Sequence, residues 1–341
     1  MAAASGSPAT TTAMDADPSC PPFPLLEDDG GLQEEEQQEC PHGGELELPT
    51  VDLESPGEAL ASACRQFGVF RLANHGAPGS LSARLFALAR DRLSRAPFHD
   101  KQAQPGYFWG TPALASLRVR HVNWVEGFHV ALSCPSSDSE LAGLAREYGA
   151  HMARVARRLF DALDAALGLG LGAARAASYL AERDGFLRVY RYPPCPADPA
   201  RARPLGMEAH TDSSVLTVVA QEDGVGGLQV LHDGAWRDVA PGGAGDGALL
   251  VNLGDMARAI AGGDACRSVR HRVAASRAGA ERLSLCYFAF PRDDAVISCQ
   301  GSRYRPFTYA EFREQVQADI RATGSKVGLD RFLTQPVTPS S

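Results

Sequence analysis

The chain has 341 residues, is 44% hydrophobic and 22% charged, and carries a formal net charge of -8. That hydrophobic share supports a real core, which excludes a wholly disordered chain and a disulfide-stapled miniprotein. No run approaches the ~20 apolar residues of a membrane span. The eight cysteines include no C-x-x-C pair, so they read as reduced thiols of an intracellular protein.

In chain order, residues 1–47 come first, with eleven acids and no Lys or Arg. Without them 30 acids remain against 33 basic residues, so residues 48–341 carry about +3. The Ala/Ser/Thr/Pro start, Pro21-Pro22 and the run Glu34-Glu35-Glu36-Gln37-Gln38 have no apolar period to bury. The segment reads as a disordered acidic tail, dispensable for turnover and unlike either a transit peptide or a secretory signal. A cytoplasmic location is expected, with the nucleus as the second choice. Only Lys101 and Lys326 are lysines, and the arginines are dispersed, so a nucleic-acid surface is not expected.

Leu48–Leu53 alternates as a short strand, Pro56–Gln66 has helical spacing, and Phe67–Leu72 reads as a second strand. Residues 80–95 and 138–167 repeat the helical period, making 48–180 a helical and mixed N-terminal region. An aromatic segment lies between these helices, around Tyr107–Pro112 and Asn123–His129. From 186 to 290 the period changes to two, with strands expected at 186–192, 207–211, 215–221, 227–231, 235–239, 248–252, 268–274 and 282–290. Eight such strands fit a double-sheet jelly roll. Tyr309–Thr323 returns to helix, closing a 181–334 core before a short tail at 335–341. The fold class is therefore mainly β with flanking helices around a jelly-roll, cupin-like double-stranded β-helix.

There is no G-x-S-x-G, H-E-x-x-H or Walker loop. Gly224-Val225-Gly226-Gly227 precedes a β-type run and reads as a hairpin turn. His210-Thr211-Asp212 places an imidazole and a carboxylate two residues apart, on one face of a strand; alone it is either a site or a surface polar pair. In Ser268–Val273, Val269, His271 and Val273 share a face opposite Arg270 and Arg272, so His271 points inward as a core residue or a ligand. Two His and one carboxylate on one barrel make the facial set associated with non-haem Fe(II) oxygenases. Arg282 shares a face with Ser284, Cys286 and Phe288, where a guanidinium is costly unless it meets an internal acid or a ligand anion. Its fork suits a carboxylate, with Ser284 as a third donor and Tyr190 or Tyr192 on a neighbouring strand within reach. A metal site with an inward carboxylate clamp predicts a small keto-acid cosubstrate.

These residues resemble the plant iron- and 2-oxoglutarate-dependent dioxygenases over roughly residues 48–334. The resembling stretches include Gly68-Val69-Phe70, Asn74-His75-Gly76, Tyr192-Pro193-Pro194-Cys195-Pro196, His210-Thr211-Asp212, Asn252-Leu253-Gly254-Asp255, Ser268–Val273 and Arg282-x-Ser284. The resemblance implies Fe(II) held by His210, Asp212 and His271, and a distal 2-oxoglutarate carboxylate held by Arg282, Ser284 and Tyr192. It also implies O2 as co-reactant and ascorbate as reductant. Within the family, Trp109–Pro112, Trp124–His129, Tyr304–Arg313 and Lys326–Leu333 are similar to gibberellin 2-oxidases acting on C20 gibberellins, enzymes of plant hormone catabolism. The family usually has Asn where Tyr190 stands. Phe108, Trp109, Trp124, Phe128 and Tyr190 are candidates for an aromatic substrate pocket, or for plain core. The expected partner is a small gibberellin-like molecule, with no nucleic acid or membrane, and the chain a monomer or weak oligomer. The alternatives are a relative hydroxylating another plant metabolite and a non-catalytic jelly-roll binding protein.

Overall fold

The computed structural model describes residues 41–110, 123–133, 140–181, 185–194, 205–222, 224, 226–242, 247–275 and 280–334. Its elements begin with β1 (His42–Leu46), β2 (Thr50–Asp52), α1 (Gly57–Gln66), β3 (Val69–Ala73) and α2 (Gly79–Ala89). The chain continues through a π-helical turn (Arg90–Arg95), α3 (Phe98–Gln102), β4 (Tyr107–Trp109), β5 (Glu126–Ala131), α4 (Glu140–Leu167) and α5 (Ala173–Tyr179). The central strands are β6 (Phe186–Tyr192), β7 (Leu205–His210), β8 (Leu216–Gln221), β9 (Leu228–His232), β10 (Ala235–Val239) and β11 (Leu249–Leu253). After α6 (Asp255–Ile260) come β12 (His271–Ala274), β13 (Arg282–Ala289), the small pair β14 (Val296–Ile297) and β15 (Phe307–Thr308), and α7 (Tyr309–Thr323).

All eight strands expected from the period-2 pattern form, and they divide four and four. The larger sheet runs β2-β3-β11-β8-β13-β6-β5-β4 and the smaller β1-β10-β9-β12-β7. The two halves of the jelly roll are therefore β11-β8-β13-β6 and β10-β9-β12-β7, the first widened on both sides. Alternation along the larger sheet sends side chains to two different cores. Leu187, Val189, Leu216, Val218, Val251, Leu285 and Tyr287 face the helices. Tyr190, Tyr192, Val219, Leu250 and Cys286 face the space between the sheets.

The 28-residue helix α4 covers the outer face of the larger sheet. Its Leu141, Leu144, Tyr148, Met152, Val155, Leu159 and Leu163 recur every three or four residues and are all buried. Each such side chain contributes roughly 1.5–3 kcal/mol by leaving water. At the C-terminus Thr308 caps α7 by accepting from the Glu311 amide at 3.2 Å, as a Thr-x-x-Glu sequence favours.

Three features differ from the sequence expectations. The Gly224–Gly227 stretch is not a hairpin turn: it carries the chain from β8 in one sheet to β9 in the other. The tight hairpin lies instead at Asp233-Gly234, where both residues have positive φ, 49° and 75°, as a two-residue turn between β9 and β10 requires. The aromatic segment supplies two strands, β4 and β5, which extend the larger sheet beyond β6. The third difference concerns the expected tail of residues 1–47. Residues 1–40 lie outside the described residues, but His42–Leu46 is a strand pairing in parallel with β10. Backbone bonds Trp236 N to Pro41 O (2.8 Å) and Ala240 N to Leu46 O (3.2 Å) bracket it, and Arg237 donates to Gly43 O at 2.6 Å. Composition hid it because two glycines, a histidine and a glutamate make up most of this exposed edge strand.

A chain starting at residue 41 should therefore match the full chain in thermal unfolding, whereas one starting at residue 48 loses the β1 pairing. At about 1 kcal/mol per hydrogen bond the loss is a few kcal/mol, read as a Tm lower by several degrees in the shorter chain alone.

Candidate metal and cosubstrate site

The space between the two sheets holds a cavity of about 490 Å³, counting its open mouth, lined by His210, Asp212, His271, Arg282, Ser284, Tyr190 and Tyr192 among others. Strand register assembles it. His271 of β12 stands directly opposite His210 of β7, with ring centroids 4.3 Å apart. Arg282 stands opposite Tyr192, and Ser284 opposite Tyr190, in the β13–β6 ladder. The third member of the triad does not lie on a strand. β7 ends at His210, and Asp212 reaches the imidazoles from the turn beyond it.

His210, Asp212 and His271 each offer one ligand atom, all within 4.8 Å of one another. Nδ1 of His210 lies 2.7 Å from Glu208 O, and Nδ1 of His271 lies 3.2 Å from Val269 O. A carbonyl can only accept, so each Nδ1 carries the proton and each Nε2 presents a lone pair. Both Nε2 atoms face Asp212, at 3.7 and 3.9 Å from Oδ1, while its buried Oδ2 has no partner. Burial pushes His210 below the usual histidine range, reinforced by His271. Burial alone would raise the Asp212 carboxyl, but the two imidazoles and the Thr217 hydroxyl hold it below its ordinary value. Two neutral imidazoles and one carboxylate with a spare oxygen suit a divalent cation, and the donor set fits Fe(II).

The clamp end shows a matching vacancy of charge. Arg282 is 4% exposed, yet its nearest side-chain acceptors are Ser284 Oγ at 3.4 Å and Gln221 Oε1 at 3.3 Å, and its Nε has none. The guanidinium lies 5.1 Å from the centroid of the Tyr192 ring. A buried guanidinium without an acid favours an anionic ligand, and the walls beside it are apolar: Val219, Leu228, Leu250 and Val273. Burial pushes Tyr190 up to about 12, so its phenol is neutral.

The other aromatic candidates are not brought into the cavity. Phe128 belongs to the helix-side core, edge-on to Tyr107, because β5 turns that face toward α4. Phe108 lies behind Tyr190, edge-on at 5.7 Å. Trp109 and Trp124 pack on each other, and Trp124 Nε1 donates to Pro193 O at 2.9 Å. Only Tyr190 of this group lines the site.

The structure adds a brace that sequence reasoning quoted but gave no role. Asp255, at the start of α6 and 4% exposed, takes Ser268 Oγ at 2.8 Å, Thr211 Oγ1 at 3.3 Å and Lys326 Nζ at 2.7 Å. Its own amide donates to Asp212 O, and Lys326 Nζ donates to Thr211 O. One carboxylate thus ties the turn bearing Asp212 to the approach to His271. Gly254 permits this close approach, since a Cβ there would sit 2.1 Å from Ser214 O. The signal was the rarity of lysine: the second of two lysines is spent here.

The 2OG-Fe(II) oxygenase superfamily model matches residues 183–291. The chain is 38% identical to gibberellin 2-beta-dioxygenase 6 of Oryza sativa subsp. japonica, covering 89% of this chain and 91% of that one. It is 35% identical to gibberellin 2-beta-dioxygenase 8 of Arabidopsis thaliana, covering 85% and 88%. Among solved structures, JOX2 in complex with 2OG, Fe and JA superposes with a TM-score of 0.69 at 25% identity, covering 86% of this chain and 91% of that one.

Asp212→Ala should abolish Fe(II) binding in an anaerobic titration, and Asp255→Asn should weaken it by about tenfold or more, the usual reach of a residue that orients ligands. Arg282→Ala should raise the 2-oxoglutarate Kd by about tenfold to a hundredfold; an unchanged Kd would remove the clamp.

Proposed function

The chain belongs to the 2OG-Fe(II) oxygenase superfamily, and we propose that it hydroxylates gibberellins at the 2β position, with C20 gibberellins as its substrates. The observation that carries the chemistry is the convergence of His210, Asp212 and His271 with the unpaired Arg282 in one cavity. The choice of substrate is supported by the gibberellin 2-beta-dioxygenases of rice and Arabidopsis, which the chain matches over nearly their whole length.

His210, Asp212 and His271 would hold the iron, and Arg282 with Ser284 would hold the distal carboxylate of 2-oxoglutarate beside the Tyr192 ring. Together, iron and 2-oxoglutarate supply the oxidising chemistry: O2 is consumed, the keto acid leaves as succinate and CO2, and one oxygen enters a substrate C–H bond. The protein's own part is to aim this chemistry. The histidine carbonyl bonds fix both rings in the tautomer that presents Nε2. Asp212, kept ionised, supplies one negative charge to the metal position. The apolar walls at Val219, Leu228 and Val273 exclude water from the reacting face.

Full-length protein supplied with Fe(II), 2-oxoglutarate and ascorbate should convert a C20 gibberellin to a product heavier by one oxygen, with the new hydroxyl at C2. A panel of C20 and C19 gibberellins followed by mass spectrometry checks it, and no gain of oxygen on any member would reject the gibberellin reading.

A further inference from the structure

Arg188 and Arg191 are three residues apart on β6, on opposite faces, and their electrostatic surroundings are opposites. Arg191 is 3% exposed and saturated with acids: Nη1 meets Glu126 at 2.7 Å and Nε meets Glu281 at 2.8 Å. Arg188 meets none. Its Nη1 donates to the Tyr190 hydroxyl at 3.0 Å, and its Nε lies 3.4 Å from Nδ1 of His129. The guanidinium rests on the faces of Phe186 and Phe288, at 5.1 and 5.7 Å from their centroids. Among the described residues no carboxylate reaches it and Nη2 has no acceptor.

Its position gives that vacancy a meaning. Along β6 and β13 the inward residues run from the buried Tyr192 and Arg282 to the half-buried Phe186 and Phe288, with Arg188 also half-buried. Arg282 is at the closed end and Arg188 near the mouth, bonded to Tyr190 and stacked on Phe288, both of which line the cavity. Four residues separate Tyr192 from Arg188 along the strand, about 13 Å at 3.3 Å each. That exceeds the span of one five-carbon dicarboxylate. Among the described residues the same sheet face therefore carries two acid-free arginines, Arg282 in the cavity lining and Arg188 beside the lining residues Tyr190 and Phe288, each able to take a different carboxylate.

We propose that Arg188 recognises the carboxylate of the organic substrate and so sets a preference for free acids over their neutral esters. The phenol of Tyr190 holds one edge of the guanidinium and the two phenylalanine faces fix its plane, leaving Nη2 to the ligand. Gibberellins carry a carboxyl group, so this inference deepens the reading above and rests on it for the choice of ligand.

The test is the equilibrium Kd of a C20 gibberellin and of its methyl ester, measured anaerobically on full-length protein loaded with Fe(II) and 2-oxoglutarate. The proteins are wild type, Arg188→Lys and Arg188→Met. Wild type should bind the acid about tenfold to a hundredfold more tightly than the ester, the usual effect of a charge-assisted hydrogen bond. Arg188→Met should abolish that difference by weakening the acid alone, and Arg188→Lys should restore part of it. The 2-oxoglutarate Kd should stay constant across all three, showing an intact fold and clamp. Equal wild-type affinity for acid and ester, or an equal loss of both in Arg188→Met, overturns the assignment while leaving the gibberellin reading in place. Failure of wild type to bind either form overturns both.

Discussion

The site depends on one ladder. β12 lies between β7 and β9, with His271 opposite His210 on one side and Val230 on the other. Side chains alternate with a period of two, so a slip of one residue would turn Arg270 or Arg272 inward and His271 out. Two cations would then occupy the place of a metal. The register is held from outside as well as inside: Arg272 donates to Gln229 at 2.7 Å and stacks 4.3 Å from the Trp236 ring centroid. Val269 and Val273 are buried on the inner face.

The distribution of charge follows the same division of faces. Toward the helices, the buried ions are paired. Lys101 and Glu126 are fully buried and joined at 2.8 Å, Tyr107 adds a bond to the same carboxylate, and Glu281 gathers Arg191, Arg90 and Ser94. The carbonyl of Leu93, near the end of the π-helical turn, accepts from Lys101 and Arg191. Removing any one partner would strand its neighbour in a low-dielectric interior. Toward the cavity the pattern reverses, and among the described residues no acid meets Arg282. Glu281 and Arg282 are consecutive, so the strand that presents the open cation is anchored one residue earlier by the saturated network.

Much of this was legible in the sequence because the jelly roll writes its inner and outer faces as alternation. Val269, His271 and Val273 against Arg270 and Arg272 is such a case, and so is the eight-strand pattern. The meeting of His210, Asp212 and His271 was legible too, although the reasoning that put Asp212 on a strand was wrong: a turn beyond β7 carries it. What the sequence concealed was depth. Phe128 and Tyr190 are both aromatic residues of strands, and only the pairing of β5 with β6 decides that one faces helices and the other the cavity. The strand at His42–Leu46 was hidden by its composition, since an edge strand paired on one side needs backbone and few apolar side chains. The Asp255 brace joins residues far apart in the chain, and no local period marks such a contact.

Both lysines of the chain are paired with carboxylates. Lys101 is fully buried on Glu126, and Lys326 is held by Asp255 and the Thr211 carbonyl. Elsewhere arginine carries the positive charge, while at these two places a compact ammonium fills the space. In the folded protein each ε-amine is consequently held by a carboxylate. Conjugating enzymes and acylating reagents must therefore open the helix-side core to reach Lys101, and at Lys326 they compete with the Asp255 brace, so lysine-directed tagging reads the state of these two ion pairs.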